Sequence, residues 1–543
     1  MKTVEPAIES MQNRQYTKLY SDFLSGTTPI TRYFSLGNAA EVANRIGPPK
    51  VDREILCDIL LKQNQKFGAK PKALGAIEGL RQMDALCIFS GQQAGLFGGP
   101  LLTLYKAIDI VKRAHILEKQ LSRPVIPIFW IAADDHDFAE INHTYYVNPE
   151  GDLVRIGYNH PDDNQVPIAE ICLESQEEYS ALKEQAEKAF GGTDFSNELL
   201  KRLFTAYTPE KCMAGAFAEY MTDIMPDCGL VFFCPTDKDI KFHSRDFFKR
   251  LTESHFRLKQ LLEETNNFLV EDGYHIQVEK KSSAVHLFFH DPDRTAVHFL
   301  DDSFHVGKKR LGLPGILDLI DRNPEKFSPD VLTRPLWQSY LFPVVAQVGG
   351  PSEIAYFGQI GKLFRLFDMA APRYYPRTSA TIVDKKSEEL FEKYNFGMDD
   401  LTGDIEQLIN RVAAESFPKD IEEKIKSFRR LLDDEYSRFE KDMITYDETL
   451  EPNSKQAYGK IDFALNNFEK KIFGRHKQKM QSVRNQIYKI SEILYPDKNL
   501  QERSLNINYF IAKYGFNLVG FIARNLDIGT TENQIIPLSK FVE

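Results

Sequence analysis

Long apolar runs are missing from this chain of 543 residues: no window approaches the roughly eighteen uninterrupted apolar positions of a membrane-spanning helix. The start, MKTVEPAIESMQNRQYTKLYSDFL, lacks the basic opening and apolar stretch of an export signal, so the cytoplasm is the expected compartment. Paired cysteines are missing too. Six are scattered at positions 57, 87, 172, 212, 228 and 234 without a CxxC, which predicts neither a disulfide framework nor a zinc site. Positive charge is in deficit: 68 Lys and Arg stand against 78 Asp and Glu, and the net charge of −10 argues against nucleic acid as a partner. The basic run Lys470–Arg484 reads as the solvated face of a helix. Neither the GxGxxG of a dinucleotide turn nor the GxxxxGK[ST] of a phosphate loop occurs.

What is present is an α/β grammar. The first eighty or so residues read as helices. ALCIFS (Ala85–Ser90) is a short apolar strand, followed by the glycine turn GQQAGLFGG and an amphipathic helix opening on Pro100; PVIPIFWIAADD is a second buried strand. Together they make a βαβ unit with parallel strands. Short alternating segments such as YNHPDDNQVP predict an inserted hairpin and then helices, over about 145–221. CGLVFFCPTD resumes the sheet, and a second insertion, about 273–310 and opening on GYHIQV, reads as several antiparallel strands. FPVVAQVGGPSEIAYFGQI repeats the strand–glycine–helix pattern, and APRYYPRTSATIVD is expected as the last core strand.

Past Asp384 the chain is helical and charged. Ile421, Ile425, Phe428, Leu432, Phe439 and Tyr446 form one stripe. After an expected turn at EPNSKQ, a second runs from Ile461 to Leu494 in heptad-like steps, with a stutter near His476. Residues 385–497 thus predict a long antiparallel coiled-coil arm, whose uncovered face calls for a second copy and a homodimer. Residues 498–543 are apolar again and are expected back on the core, 1–384.

Three clusters are candidates for chemistry. In the glycine turn, Gln92, Gln93, Gly95 and Gly99 suit a hydroxylated or zwitterionic ligand at a helix N-terminus. In WIAADDHDFAEINH, Asp135, His136, Asp137 and His143 suit acid–base catalysis or the holding of a substrate amine. A metal on His136 with Asp137 or Glu140 competes with that reading, although HExxH and HxH are absent, and so does a plain acid-dressed helix start. The third cluster holds Arg334, Gln338, Glu353 and Tyr356, with Arg377 beyond it as a partner for ligand carboxylates.

SGQQAGLFGGPLLTLYKAI, PVIPIFWIAADDHDFAEINH and RPLWQSYLFPVVAQVGGPSEIAYFGQI, in this order, resemble the cysteine ligases of bacillithiol biosynthesis, and GYHIQV and ERSLNINYFIAKYG fit the same pattern. The resemblance implies an α/β fold: a Rossmann-like parallel-sheet core with inserted connecting segments, a coiled-coil arm and a dimer. It also implies that L-cysteine is joined to the amine of glucosaminyl-malate, with ATP as the suspected activator and Mg2+ a possible companion. The family core is similar to that of class I aminoacyl-tRNA synthetases, but no HxGH occurs here and KMQS (Lys479–Ser482) falls in the predicted arm. Synthetase-style adenylation therefore lacks its residues. A rival reading is a nucleotide-binding scaffold or sensor without catalysis; the gathered acids and histidines favour the enzyme.

Overall fold

LCIFSGQ and VIPIFWI are short and apolar, the pattern of strands covered on both faces. They form neighbouring parallel strands, β1 (Leu86–Gln92) and β2 (Val125–Ile131). The computed structural model describes residues 16–34, 38–159, 166–291 and 293–542. A hairpin follows, β3 (His143–Val147) and β4 (Leu153–Gly157), before β5 (Val231–Phe233) rejoins the sheet. The second insertion supplies β6 (Ala284–His290), β7 (Arg294–Leu300), β8 (Ser303–Val306) and β9 (Lys309–Leu311), joined by β10 (Phe327–Pro329) in a separate antiparallel sheet ordered β10-β6-β7-β8-β9. β11 (Val344–Gly349) and β12 (Arg373–Pro376) complete the parallel sheet, ordered β12-β11-β1-β2-β5. β1 leads to β2 on one side and β11 leads to β12 on the other. The order therefore reverses between β1 and β11, and the crevice at their carboxyl ends is where open α/β sheets bind ligands.

Two expectations about strands are corrected. APRYYPRTSATIVD is not one strand: β13 (Ser379–Val383) leaves the parallel sheet and pairs with β14 (Asn533–Pro537). GYHIQV is irregular, because the Val278 backbone N–H and carbonyl bond the Gln359 side chain instead of a strand. Residues 160–165 of YNHPDDNQVP lie outside the described residues.

The helix Leu101–Leu121 links β1 to β2. Beneath the sheet, Trp130 and Trp337 meet edge to face at 5.3 Å, and Phe342 packs on Phe89 and Phe233 at 5.1 and 5.2 Å. Trp337 lies on the helix Arg334–Leu341, which is thereby keyed to β2. Such aromatic pairs add about 0.5–1.5 kcal/mol each beyond burial, and they hold Arg334 in place next to the carboxyl end of the sheet.

Contacts divide the chain into two units, one of 16–146, 153–382 and 499–542, the other of 147–152 with 383–498. In the second, helices Lys419–Tyr446 and Glu451–Lys479 have no buried residue. Arg429 ties them, donating to Asp462 and Asn466 at 2.7 Å and to Glu469 at 2.9 Å. The reversal occurs at Asp447–Leu450, not at EPNSKQ. Pro452 begins the next helix, since the first turn needs no N–H from it. The stutter is a true break at Met480, after which Gln481–Leu494 continues.

The cysteines also need correction. Cys172 and Cys212 face each other in an antiparallel bridge and form a disulfide across 40 residues of sequence. Spacing carried no signal because the fold alone brings these two segments together.

Candidate active site

Gly91 closes the end of β1 against β2: a Cβ there would lie 2.6 Å from the Trp130 carbonyl oxygen. This close fit carries Gln92 to the mouth of the crevice. Its Oε1 accepts from Lys106 Nζ at 2.9 Å. Lys106, 3% exposed, also donates to the Gly91 carbonyl at 2.9 Å and to Glu353 Oε2 at 2.6 Å. The same carboxylate oxygen accepts the Gly350 N–H at 2.8 Å, capping the helix Pro351–Ile360. One buried ammonium thus spans the point where strand order reverses. Burial pulls the Lys106 ammonium down, against the pull of Glu353; burial pushes Glu353 up, but Lys106, the Gly350 N–H and Arg334 hold it below the usual range. Arg334 donates to the Tyr356 hydroxyl at 2.6 Å, and its Nε is buried without a partner.

The rest of the glycine turn is packed. Ala94–Gly99 are all buried. A Cβ on Gly95 would sit 2.8 Å from the Gly99 Cα, and Gly99 has φ +71°. The carbonyls of Phe97 and Gly99 accept from Asn506 at 3.1 and 2.7 Å, and Asn508 donates to Phe97 as well. The first helical N–H, of Leu101, is taken by the Leu505 carbonyl at 2.9 Å. Gly95, expected with Gly99 to cradle a ligand, packs on Gly99 and accepts from the Tyr207 hydroxyl, and the Gly99 carbonyl meets the chain's own C-terminal segment.

After β2, Asp135 is the centre of a network. Gln93 Nε2 donates to its Oδ2 and the His136 backbone N–H to its Oδ1, each at 2.8 Å. Burial pushes this carboxyl up, but those two bonds and the charges of Arg294 and His136 outweigh it and hold it below the usual range. Arg294, on β7, lies over the Phe288 ring at 3.5 Å with Nη1 3.2 Å from His136 Nδ1. The same Nδ1 lies 3.4 Å from Asp135 Oδ1, so the imidazole faces a cation and a carboxylate at once. Asp134 pairs with buried Lys241 at 2.7 Å. Asp330 accepts from His286 at 2.9 Å, with Lys280 at 3.6 Å. Burial works against its ionisation, yet His286, Lys280 and the Thr333 N–H bring it down to about 2. A cavity of about 240 Å3 opens among these groups, lined by Asp134, Asp135, Lys280, Arg294, Asp330 and Arg334.

Other expected residues stand apart from it. Asp137 is exposed and caps the short helix Phe138–Ile141, accepting the Glu140 N–H at 3.2 Å, the acid-dressed helix start weighed above. His143 bonds Asn142 at 3.0 Å and stacks edge-on with Tyr145; burial and Arg155 lower its pKa. Gln338 is buried and accepts from Gln347 at 2.8 Å. Arg377 is buried too, its charge committed to Glu502 at 2.7 Å, so ligand carboxylates would find it occupied. Sequence reasoning missed Lys106, Lys241, Lys280, Arg294 and Asp330. Lys106 did leave a trace, as a charge inside the apolar run LLTLYKAIDIV; the others had none.

Two family models account for the chain. Residues 7–378 match the N-terminal Rossmann-like domain of BshC, of bacillithiol biosynthesis, and residues 380–538 match its C-terminal coiled-coil domain. Among curated relatives, a protein of Koribacter versatilis is 31% identical over 509 residues, covering 93% of this chain and 94% of its own. One from Geobacillus kaustophilus is 30% identical over 521 residues, with the same coverage, and one from Salinibacter ruber 29% over 489, 89% of each. All three bear the name "Putative cysteine ligase BshC". With a parallel-sheet core and a helical arm matched along almost its whole length, the chain belongs to the BshC family of bacillithiol biosynthesis.

Proposed function

We propose that this protein is a carbon–nitrogen ligase that joins L-cysteine to the glucosamine amine of glucosaminyl-malate, the last step of bacillithiol biosynthesis. The carrying observation is the 240 Å3 cavity, where Lys280, Arg294 and Arg334 meet Asp134 and Asp135. Cations and carboxylates on one small rim suit a ligand that brings both carboxylates and an amine. In this reading the three cations take the malate carboxylates, and Gln92 and Gln93 meet hydroxyls. Asp135, kept ionised, accepts a hydrogen bond from the attacking amine. The amine nitrogen forms the new bond to the activated cysteine carbonyl carbon, the leaving group departs with its electron pair, and the amine proton passes to the His136 imidazole. Glu353, Tyr356 and Gln338 position the crevice wall, Gly95, Gly99 and Arg377 brace it, and Asp137 and His143 frame the loop.

A free carboxylate must be activated before it forms an amide, and ATP is the activator proposed. The glycine turn does not fit a triphosphate, being buried with its helix N–H already bonded. Mg2+ would arrive with the nucleotide, since among the described residues no group of three or more His, Cys, Asp or Glu is placed to hold a metal. No helix among them is long and apolar enough to cross a membrane; a cytoplasmic location and small-molecule substrates, without nucleic acid, complete the proposal. The exposed Phe428, Phe439, Phe463 and Phe468 of the arm support a homodimer.

The test is product formation from cysteine and glucosaminyl-malate, with and without ATP and Mg2+, read by mass spectrometry. Bacillithiol is expected only with the activator, and Asp135→Asn should lower turnover at least about a hundredfold. Absence of product under every condition, from a folded protein, overturns the reading.

A further inference from the structure

A second cavity, of about 410 Å3, shares no lining residue with the first. It opens where β5 ends and is lined by Lys62, Lys66, Lys211, Cys212, Cys234 and Glu210, among others. Its volume is in the range of small-ligand pockets. Lys211 is paired with Glu219 and Lys62 approaches Asp239 at 3.8 Å, but Lys66 makes no ion pair among the described residues. Lys66 and Glu210 beside a disulfide cysteine are the complement of an amino-acid thiol.

We infer that this cavity is a thiol-exchange site, in which a small thiol carrying an amine and a carboxylate opens the Cys172–Cys212 disulfide and releases the segment that holds the Asp135 loop.

The connection to the loop is direct. The Ile168 N–H donates to the Asp135 carbonyl at 2.7 Å and the Ala169 N–H to the Ala133 carbonyl at 3.1 Å. Ala169 itself lines the cavity. On its other side the segment is fixed by Met213, whose N–H donates to the Ile171 carbonyl at 2.8 Å, and by the disulfide next to it. Opening the disulfide removes the one covalent tie on that side and leaves backbone bonds, the Tyr158 hydroxyl on the Cys172 carbonyl and the buried Ile168, Ile171 and Leu173.

The step conserves electrons. The ligand thiolate attacks Cys212 Sγ, of the disulfide cysteine that lines the cavity; the Cys212–Cys172 bond breaks, and its electron pair leaves on Cys172, which takes a proton from water. A second ligand thiolate attacks the ligand sulfur of the mixed disulfide, releasing the ligand disulfide and the Cys212 thiolate. The protein gains two electrons and two ligand thiols lose them. Cys212 is the N-cap of the twelve-residue helix Met213–Ile224, a position that stabilises the Cys212 thiolate released in the second exchange. Burial pushes the other four thiols up, Cys57 to about 11, which makes them poorer nucleophiles. In a reducing compartment, disulfides that do form are mostly transient or redox-sensing ones.

The full-length protein, purified without reductant, would be incubated with cysteine or with uncharged 2-mercaptoethanol, alkylated, digested and analysed by mass spectrometry. The expected result is loss of the linked 172–212 peptide with a cysteine adduct on Cys212. Lys66→Glu should slow opening by cysteine several-fold while sparing 2-mercaptoethanol. Hydrogen exchange at Ile168 and Ala169 should accelerate about tenfold on opening. Failure to find the linked peptide, an adduct on Cys228 or Cys234 instead, equal effects of Lys66→Glu on both thiols, or unchanged exchange at Ile168 and Ala169 would each overturn the inference. None of these readings needs ligase turnover, so they stand or fall separately from the proposed reaction.

Discussion

At the scale of single residues, the site depends on charges kept inside the protein with assigned partners. Lys106 is the clearest case. Removing one member of a buried pair leaves the other uncompensated, so Lys106→Met should destabilise the fold by about 3 kcal/mol. Adding Glu353→Gln should recover much of that, and denaturant unfolding of the two single variants and the double variant measures it; strictly additive effects would mean the pair is not coupled. His290 sets a pH dependence. Burial, then the charges of Lys241, Arg294 and His136, lower its pKa to about 3, and its Nδ1 is buried without a partner. Between that value and the ordinary histidine pKa near 6.5, the unfolded chain binds a proton that the folded one refuses. The stabilisation is whole above that window and falls as pH drops through it, by on the order of 1 kcal/mol per pH unit. His290→Gln should flatten the decline of unfolding free energy between pH 6 and 4; an unchanged slope would assign the acid sensitivity elsewhere.

At the scale of elements, the strand-to-helix turns are built by close backbone approach. Gly91→Ala would drive a Cβ to 2.6 Å from the Trp130 carbonyl. β1 and β2 would have to part, with a loss of about 1–3 kcal/mol. Gly75 is the contrast: it lies in the helix Pro71–Leu80, exposed and with nothing within 4 Å of an added Cβ. Gly75→Ala should stabilise by about 0.5–1 kcal/mol. Denaturation midpoints that moved the same way in both variants would contradict this account. The contrast also marks what a sequence can convey. Both glycines are visible in it, but the carbonyl that makes one of them irreplaceable belongs to a strand some forty residues away.

At the scale of the molecule, the two units show different chemistry. The sheet unit buries Phe89, Phe129, Trp130 and Trp337, whereas the long helices of the other leave Phe439 and Phe468 53% and 60% exposed. If a second copy covers this face, as proposed, the double substitution Phe439→Glu with Phe468→Glu should turn a dimer into a monomer in sedimentation velocity without lowering helix content. A variant that sediments like the parent would remove the arm from the interface. The C-terminal segment returns to the sheet unit, where Asn506 and Asn508 occupy the turn carbonyls, so residues about four hundred positions away complete the turn that follows β1.

By itself, the sequence determined the elements that follow from local periodicity. The apolar runs of β1, β2 and β11, the glycine turns after two of them and the heptad-like stripes of the arm are each readable because neighbours in sequence share one face of a strand or helix. It also marked Asp135, His136, Gln93 and Arg334, which lie on the strand ends and helix starts that such patterns reveal. Tertiary structure alone decided the partners. Arg294 and Lys280 reach the first cavity from an antiparallel insertion, Glu502 takes Arg377 out of the binding set, and Cys172 meets Cys212 across 40 residues. A long-range ion pair or thiol pair needs only the right atoms at its two ends and imposes no pattern on the residues between, so no periodicity announces it.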